Sequence, residues 1–540
     1  MRSKNMKSTI RKTYLVLALT LAMALLVAPS ANAATPGIAG TAFSLTAQAA
    51  YITQPDGQAV YSWGYGCTSQ TGLTFLPAMN TTTFCNTMQI PGPTLIVTEG
   101  QTVTVTLNNN LPTSAGNTSI LFSGFTATAT GGVAGLLTQE AAPGGSVVYS
   151  FVASTPGTHA YYSGTQGDLQ VEMGLYGAIV VVPKTPVDCN AGAAARTNLY
   201  GQTDYATTAG IQGAPEKDFR LATSAYDSAK TCYDREYLFQ FSEMDPNIHH
   251  QADVQVQAAG KCTAGAAGCS LNVPTEPYHP AYFMINGRSM PDDMDPNYAP
   301  QYPHQPYNGD PHMHPGELVL LRIIGQGRWQ HPFHEHGNHV RILARDGNLI
   351  VSQSNPNDLA GPLLFTTTTT PGVAMDGIFY WTAKGLNWDA YGHNPSSKSA
   401  NATVQCSPDA NGYNTGVAAY AQINYFEWCQ DHNKPLETFP TGDVAGNGPA
   451  TLPDPNIFAN GPWYGGSPYL GPDATVRAVG STGTTPPSGT IANSPSSEAG
   501  FAFMWHSHNE REITTNNIFP GGMLMMMLVD SREFVIDETN

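Results

Sequence analysis

The sequence predicts an all-β protein, because turn residues are abundant, charge is sparse and apolar residues alternate with polar ones. The chain of 540 residues contains 54 glycines and 41 prolines, and charged residues make up 12% of it. Val103, Val105 and Leu107 alternate with threonines, which is the period of a strand with one buried face. This composition is typical of many short strands joined by turns, and it excludes a disordered acidic chain.

The first 33 residues predict a secretory signal peptide. Five basic residues precede the apolar run from Tyr14 to Val27, and Ala31-Asn32-Ala33 places small residues around a cleavage point. The run is too short to span a bilayer, and no later stretch approaches that length. We therefore expect a secreted protein, periplasmic or extracellular. Removal of the segment leaves 18 basic and 40 acidic residues, a net charge of −22. Nucleic acid and anionic lipid are then poor partners, so we expect no nucleic-acid partner, and cations such as metal ions are favoured.

The remaining chain divides into a first domain (34–184), a linker (185–234) rich in Ala, Gly and Thr, and a second domain (235–535). A Gly/Pro/Ser-rich insertion near 435–500 interrupts the second domain. Patterns typical of half-buried or buried strands recur on both sides of the linker. They are found at 95–107, 146–151, 177–182, 237–241, 317–324, 340–344, 377–381, 501–508 and 523–529.

Eight cysteines in an exported chain predict disulfides. Proximity in sequence suggests four pairs, although it does not determine the connectivity: Cys67 with Cys85, Cys189 with Cys232, Cys262 with Cys269, and Cys406 with Cys429. None of the eight lies between residues 500 and 540, where the second of two histidine clusters is found.

The two histidine clusters predict a metal site. Residues 331–339 read HPFHEHGNH, and residues 505–508 read WHSH. Residues two apart in a strand face the same side, so His334 with His336, and His506 with His508, are expected to project as pairs. Two such strands side by side bring four imidazoles together, and neutral imidazole suits copper, zinc, nickel and iron.

Residues between the paired histidines are expected to point the other way. Glu335 and Ser507 are therefore predicted to face the interior, with His331 nearby. His249 and His250 follow Pro246, and we interpret them as surface-loop residues without a role.

The histidine segments resemble those of multicopper oxidases. The stretch 331–337 is similar to the HPxHxHG signature of that family, and 506–508 is similar to its final HCH segment. In the first domain, 91–94 (PGPT), 109–112 (NNLP) and 174–178 (GLYGA) resemble the opening of the family's first domain and its GLYG strand. The resemblance implies two cupredoxin-like Greek-key β-sandwich domains and copper as the cofactor, with zinc left open. It also implies that His331 is the type 1 histidine, His334 a type 2 ligand, and His336, His506 and His508 type 3 ligands.

The resemblance also identifies missing ligands. Four histidines of the family's first domain are replaced by Leu121, Ser123, Tyr162 and Gly164. In the type 1 site, Ser507 replaces the cysteine and Glu512 replaces the second histidine. Ordinary laccase chemistry does not follow, because it needs the thiolate for electron transfer and the complete cluster for four-electron reduction of oxygen.

Two functions remain open from the sequence. The first is a copper-dependent oxidoreductase with a partial trinuclear-type histidine site, acting on a small molecule or a metal ion. The second is a non-catalytic secreted protein that binds metal or serves as a structural β-sandwich. Assembly into a homo-oligomer is left open, and it would not restore the missing ligands because every copy lacks them.

Overall fold

The computed structural model describes residues 35–69, 71–76, 85–187, 224–313, 317–381, 499–530 and 536, with four short strand segments between 196 and 492. The predicted signal peptide, much of the predicted linker and most of the insertion near 435–500 lie outside the described residues. Within those residues, no helix is long and apolar enough to cross a membrane.

Most of the regular secondary structure in the described residues is strand, as predicted. The strands up to residue 204 are β1 Gly37–Ala39, β2 Ala42–Thr53, β3 Ala59–Ser69, β4 Thr74–Leu76, β5 Leu95–Thr98, β6 Thr102–Asn109, β7 Leu121–Phe122, β8 Thr128–Gly131, β9 Val133–Ala134, β10 Gln139–Glu140, β11 Ser146–Val152, β12 Gly157–Tyr162, β13 Tyr176–Val182, β14 Arg196–Thr197 and β15 Thr203–Asp204. The later strands are β16 Arg235–Met244, β17 Tyr282–Ile285, β18 His312–Met313, β19 Leu318–Gly325, β20 His331–Glu335, β21 Val340–Arg345, β22 Asn348–Leu349, β23 Leu363–Leu364, β24 Thr366–Thr369, β25 Ala374–Tyr380, β26 Gly466–Leu470, β27 Ile491–Ala492, β28 Ala499–Ser507 and β29 Leu524–Asp530.

Two α-helices are described, α1 (Gly167–Gln170) and α2 (Pro246–Ala259). Asp245 caps α2 by accepting a hydrogen bond from the Asn247 N–H, and Pro246 occupies its first turn. The surface-loop interpretation of His249 is wrong, because this residue is buried on α2 and its ring contacts the carbonyls of Tyr61 and Glu172. Short 3₁₀ turns lie at Thr113–Ala115, Ala229–Thr231, Asp292–Met294 and Glu510–Ile513.

The first two large sheets form a β-sandwich between Gly37 and Val182. One sheet has the order β4-β1-β5-β13-β12-β7, and the other has the order β3-β2-β6-β11-β8. Alternate residues of both sheets enclose one core, including Leu95 and Ile179 from the first sheet and Val105 and Tyr149 from the second. Non-consecutive neighbours and parallel pairs such as β5–β13 give the crossed connections of a Greek key.

A second β-sandwich lies between Arg235 and Asp530. One sheet has the order β17-β16-β19-β25-β21-β22, with β23 on β21, and the other has the order β18-β29-β28-β20-β24, with β26 on β28. Apolar residues of both sheets fill the space between them, for example Phe239 and Leu321 against Phe333 and Trp505. The fold class is thus the predicted one, with two cupredoxin-like β-sandwiches.

A buried ionic network joins the two sandwiches. Arg322 pairs with Glu236 at 2.6 Å and lies 3.6 Å from Asp376. Asp376 in turn accepts hydrogen bonds from the Thr158 backbone and hydroxyl in the first sandwich. Since these charges are taken out of water, each depends on its partners for stability.

Two of the suggested disulfides are present, Cys67–Cys85 and Cys262–Cys269. Cys232 is disulfide-bonded as well. Cys189, Cys406 and Cys429 lie outside the described residues, so the other two pairings stay predictions.

Candidate metal centre

The two histidine segments lie on adjacent strands. Strand β20 pairs antiparallel with β28, and this register sets His334 directly opposite His506. Residues in such a cross-strand pair have neighbouring side chains on one face of the sheet. The next pair along, Phe333 and Ser507, faces the other way into the core, as does Glu335.

Four imidazoles converge on the outer face of this strand pair, and we call them the histidine cluster: His334, His336, His506 and His508. The His334 ring centroid lies 4.8 Å from those of His336 and His508 and 5.5 Å from that of His506. Nitrogen atoms of His334, His336 and His506 all fall within 4.8 Å of one another. The predicted convergence of the two pairs is therefore present in the structure.

Hydrogen bonds fix the orientation of the rings. Nδ1 of His334 lies 2.9 Å from the Thr366 hydroxyl on β24, and Nδ1 of His506 lies 2.7 Å from the Ser507 carbonyl oxygen. Donation by His506 Nδ1 to that carbonyl leaves a lone pair on Nε2, which lies 3.2 Å from His336 Nε2. Two nitrogens bound at about 2.0 Å to one tetrahedral ion are about 3.3 Å apart, so this spacing fits a shared metal ion.

Burial favours the neutral form of two of the four imidazoles, those of His334 and His506. His334 is 1% exposed and His506 8% exposed. Burial, followed by the neighbouring imidazoles, lowers the pKa of His334 to about 4. Burial likewise lowers the pKa of His506. Neutral imidazole is the form that binds a metal ion. His508 is exposed, so solvent can reach the cluster from the side where His508 lies.

His331 is not gathered with the other four. It is fully buried, and its Nε2 lies 2.8 Å from Glu243 Oε2 on β16, while its Nδ1 lies 2.9 Å from Glu512 Oε2. Burial opposes protonation of the ring, but the hydrogen bonds to Glu243 and Glu512 outweigh it and raise the pKa of His331 to about 9. The ring is thus engaged on both sides by carboxylates.

Two residues at the site were missed by sequence reasoning. Glu243 lies 88 positions before His331, near the end of β16, so no spacing signal in the sequence links the two residues. Thr366 stands in a run of five threonines, and nothing in that run singles out the one that reaches His334.

The four first-domain positions that lack histidine lie close together. Leu121 on β7 pairs with Tyr162 on β12, and the Leu121 side chain packs against Gly164. The Ser123 hydroxyl donates to the Gly372 carbonyl at 3.4 Å. Strands β7 and β12 pair in this region, but these four positions offer no imidazole ligand.

Comparisons with known proteins agree with the resemblance. A family model described as multicopper oxidase matches residues 68–186, a stretch that contains the PGPT, NNLP and GLYGA segments. "Laccase ustL" of Ustilaginoidea virens is 39% identical over 97 residues, which cover 17% of this chain and 14% of the relative. A "Copper-containing nitrite reductase" of Alcaligenes xylosoxydans xylosoxydans is 30% identical over 142 residues, covering 25% of this chain and 41% of the relative.

Among solved structures, "Multicopper Oxidase mgLAC" overlaps 90% of this chain and 86% of its own length with a TM-score of 0.41 and 15% identity. The sequence matches span under half of each relative's length. The family model over residues 68–186 and the laccase relatives show that part of this chain is similar to multicopper oxidases.

Proposed function

We propose that this protein binds copper at the histidine cluster and that any oxidoreductase chemistry takes place at that centre alone. The observation that carries the proposal is the convergence of three imidazole nitrogens within 4.8 Å. Imidazole donors suit copper, and relatives named laccase and copper-containing nitrite reductase support this choice of metal. Zinc would accept the same ligands.

The chain prepares the cluster in three ways. Thr366 and the Ser507 carbonyl hold the rings of His334 and His506 by their Nδ1 atoms, which keeps the remaining nitrogens aimed at the cluster. Burial keeps these rings neutral, so no proton has to be displaced before a metal ion binds. Exposure of His508 leaves a side from which a small ligand can approach.

When bound, copper would supply one-electron redox chemistry and Lewis acidity. The complete reaction of the family is not proposed. Position 507 offers a serine hydroxyl instead of a thiolate, and four ligand positions of the first domain hold no histidine. Any electron exchange with a substrate, either a small molecule or a metal ion, would therefore have to occur at copper held by the histidine cluster.

Copper content tests the metal assignment. The purified chain is loaded with a cupric salt, desalted, and measured by elemental analysis and electron paramagnetic resonance. The wild-type protein should retain copper with a nitrogen-ligand signal, and His506→Gln should lose most of it. His339→Gln is a matched control, because this histidine lies in the same segment but outside the cluster. Equal copper in His506→Gln and wild type would refute the site.

A second candidate function is that of a non-catalytic metal-binding or structural protein, favoured by the missing thiolate and the four missing histidines. Oxygen uptake separates the two candidates. With a phenol or ferrous ion as electron donor, a copper-loaded oxidoreductase should consume oxygen, and the uptake should fall in His506→Gln. A loaded protein that consumes no oxygen with either donor would favour the second candidate.

We also propose that the protein is exported and acts outside the cytoplasm. Its disulfides, the predicted signal peptide and the acidic balance of the chain support this. Metal ions are the expected partners, and self-association remains a proposal that the mass in solution would test.

A further inference from the structure

The type 1 copper position that the resemblance implies holds four polar side chains, which we call the glutamate–histidine network: Glu243, His331, Ser507 and Glu512. All four residues are buried. By resemblance, the His331 imidazole and the side chain at 507 should face a metal ion. In this structure Nδ1 of His331 and Oγ of Ser507 are the atoms concerned. Here both face Glu512 Oε2, at 2.9 Å from His331 Nδ1 and 2.5 Å from Ser507 Oγ.

Each carboxylate in this network accepts hydrogen bonds from three or more donors. Glu512 Oε2 accepts from His331 and Ser507, and its Oε1 accepts from the Asn509 side chain at 2.9 Å. An ionised carboxylate only accepts hydrogen bonds, and each contact here supplies a donor. A metal ion would have to displace Glu512 from both His331 and Ser507.

The second glutamate blocks the other side of the imidazole. Glu243 Oε2 accepts from His331 Nε2, and its Oε1 accepts from the backbone N–H groups of Arg328 at 2.6 Å and Trp329 at 2.9 Å. The Tyr278 hydroxyl also lies 3.3 Å from this oxygen. The two nitrogens of one ring point in nearly opposite directions, so two carboxylates on both ends leave no lone pair for a metal.

The residues present therefore do not fit a copper ion. We infer that the type 1 copper position is closed to metal ions in this protein, because the Glu512 carboxylate occupies the place of the ion. We infer further that the glutamate–histidine network acts as a buried cross-link between strands. It ties β16 to β20 through Glu243 and His331, and it ties β20 to the 3₁₀ turn after β28 through Glu512. This inference goes beyond the proposed function, because it concerns a different position and holds whether or not the histidine cluster binds copper.

The first test compares His331→Gln with wild type. Both are loaded with a cupric salt, and copper per chain is measured together with the urea midpoint of unfolding in the presence and absence of a chelator. We expect unchanged copper per chain and a lower midpoint that falls by the same amount with and without chelator. Loss of copper from His331→Gln while His339→Gln keeps it would overturn the inference.

A second variant tests the closure of this position even if His331→Gln does not fold. Ser507→Cys restores the thiol of the family's pattern but retains Glu512. We expect this variant to bind no copper through the new thiol, and so to lack the intense visible thiolate-to-copper absorption after loading. Appearance of that absorption in Ser507→Cys would overturn the closure. A wild-type protein that binds no copper at all would refute the proposed function and still agree with a closed position.

Discussion

The pH dependence of stability caused by Glu335 tests the assignment of side chains to the two faces of β20, on which the metal centre depends. The Glu335 side chain lies on the core side of β20, where Oε1 accepts from the Thr367 hydroxyl at 2.8 Å and Oε2 has no hydrogen-bond partner among the described residues. Burial, only partly opposed by the hydrogen bond from Thr367, raises the pKa of Glu335 from 4.5 to about 8. Between these two pH values the folded chain holds a proton that the unfolded chain has released, so stability falls as the pH rises.

The size of the effect follows from the two pKa values. Between pH 5 and pH 7 the free energy of unfolding should fall by about 2.5 kcal/mol on account of this group alone. Glu335→Gln keeps the shape and cannot ionise. The stability of Glu335→Gln relative to wild type should therefore increase by about 2.5 kcal/mol from pH 5 to pH 7, with copper content unchanged.

Urea unfolding at both pH values, followed by tryptophan fluorescence, measures this difference, since Trp381 and Trp505 lie in the same core. Glu276→Gln is a suitable control, because that side chain is 71% exposed and its replacement should give no comparable pH-dependent difference. If Glu335→Gln differed from wild type by the same amount at both pH values, Glu335 would not be a buried neutral acid. The assignment of the strand faces would then be wrong.

Three further predictions concern the metal and the stability of the fold. Copper at about 100 times its dissociation constant should raise the free energy of unfolding by about 2.7 kcal/mol; calorimetry should find this gain in wild type and not in His506→Gln. Arg322→Met should cost about 3–5 kcal/mol, because it leaves Glu236 and Asp376 buried without their cation. A urea midpoint equal to that of wild type would contradict this. Replacement of Cys67 and Cys85 by alanine opens a link of sequence separation 18 and should cost about 3 kcal/mol. Reducing agent should then lower the urea midpoint of the double variant less than that of wild type, because only the other disulfides are left to open.

The faces of the histidine strands could be predicted from sequence because alternation is a local property. The sequence HPFHEH assigns His334 and His336 to one side of a strand and Glu335 to the other, and the structure places Glu335 in the core as expected. The family resemblance added the pairing of this segment with the one near residue 506. Local pattern alone could not set His334 opposite His506, since register between strands so far apart depends on the whole sheet.

The surroundings of His331 could not be predicted for a similar reason. Its partners are Glu243 on β16 and Glu512 in the 3₁₀ turn after β28. The sequence pattern around each glutamate indicates the local secondary structure and does not indicate which distant residue the side chain contacts. The departure of Glu512 from the family pattern was visible in the sequence. Its contact with both His331 and Ser507 was not, because that contact depends on how the turn after β28 folds back against β20.

The two faces of the β20–β28 strand pair show why metal binding and fold can be lost separately. On the outer face, each imidazole contributes one donor to a shared point, so removing a ligand weakens the site without disturbing the core. On the inner face, the same strands meet buried side chains of β16 and of the 3₁₀ turn, and any polar atom there must find a partner. If this inner face held neither the thiolate nor copper, and nothing replaced them, the His331 ring would have no hydrogen-bond or metal partner. Glutamates on both ring nitrogens satisfy that requirement, which explains how the sandwich retains His331 when the ligand set around it has changed.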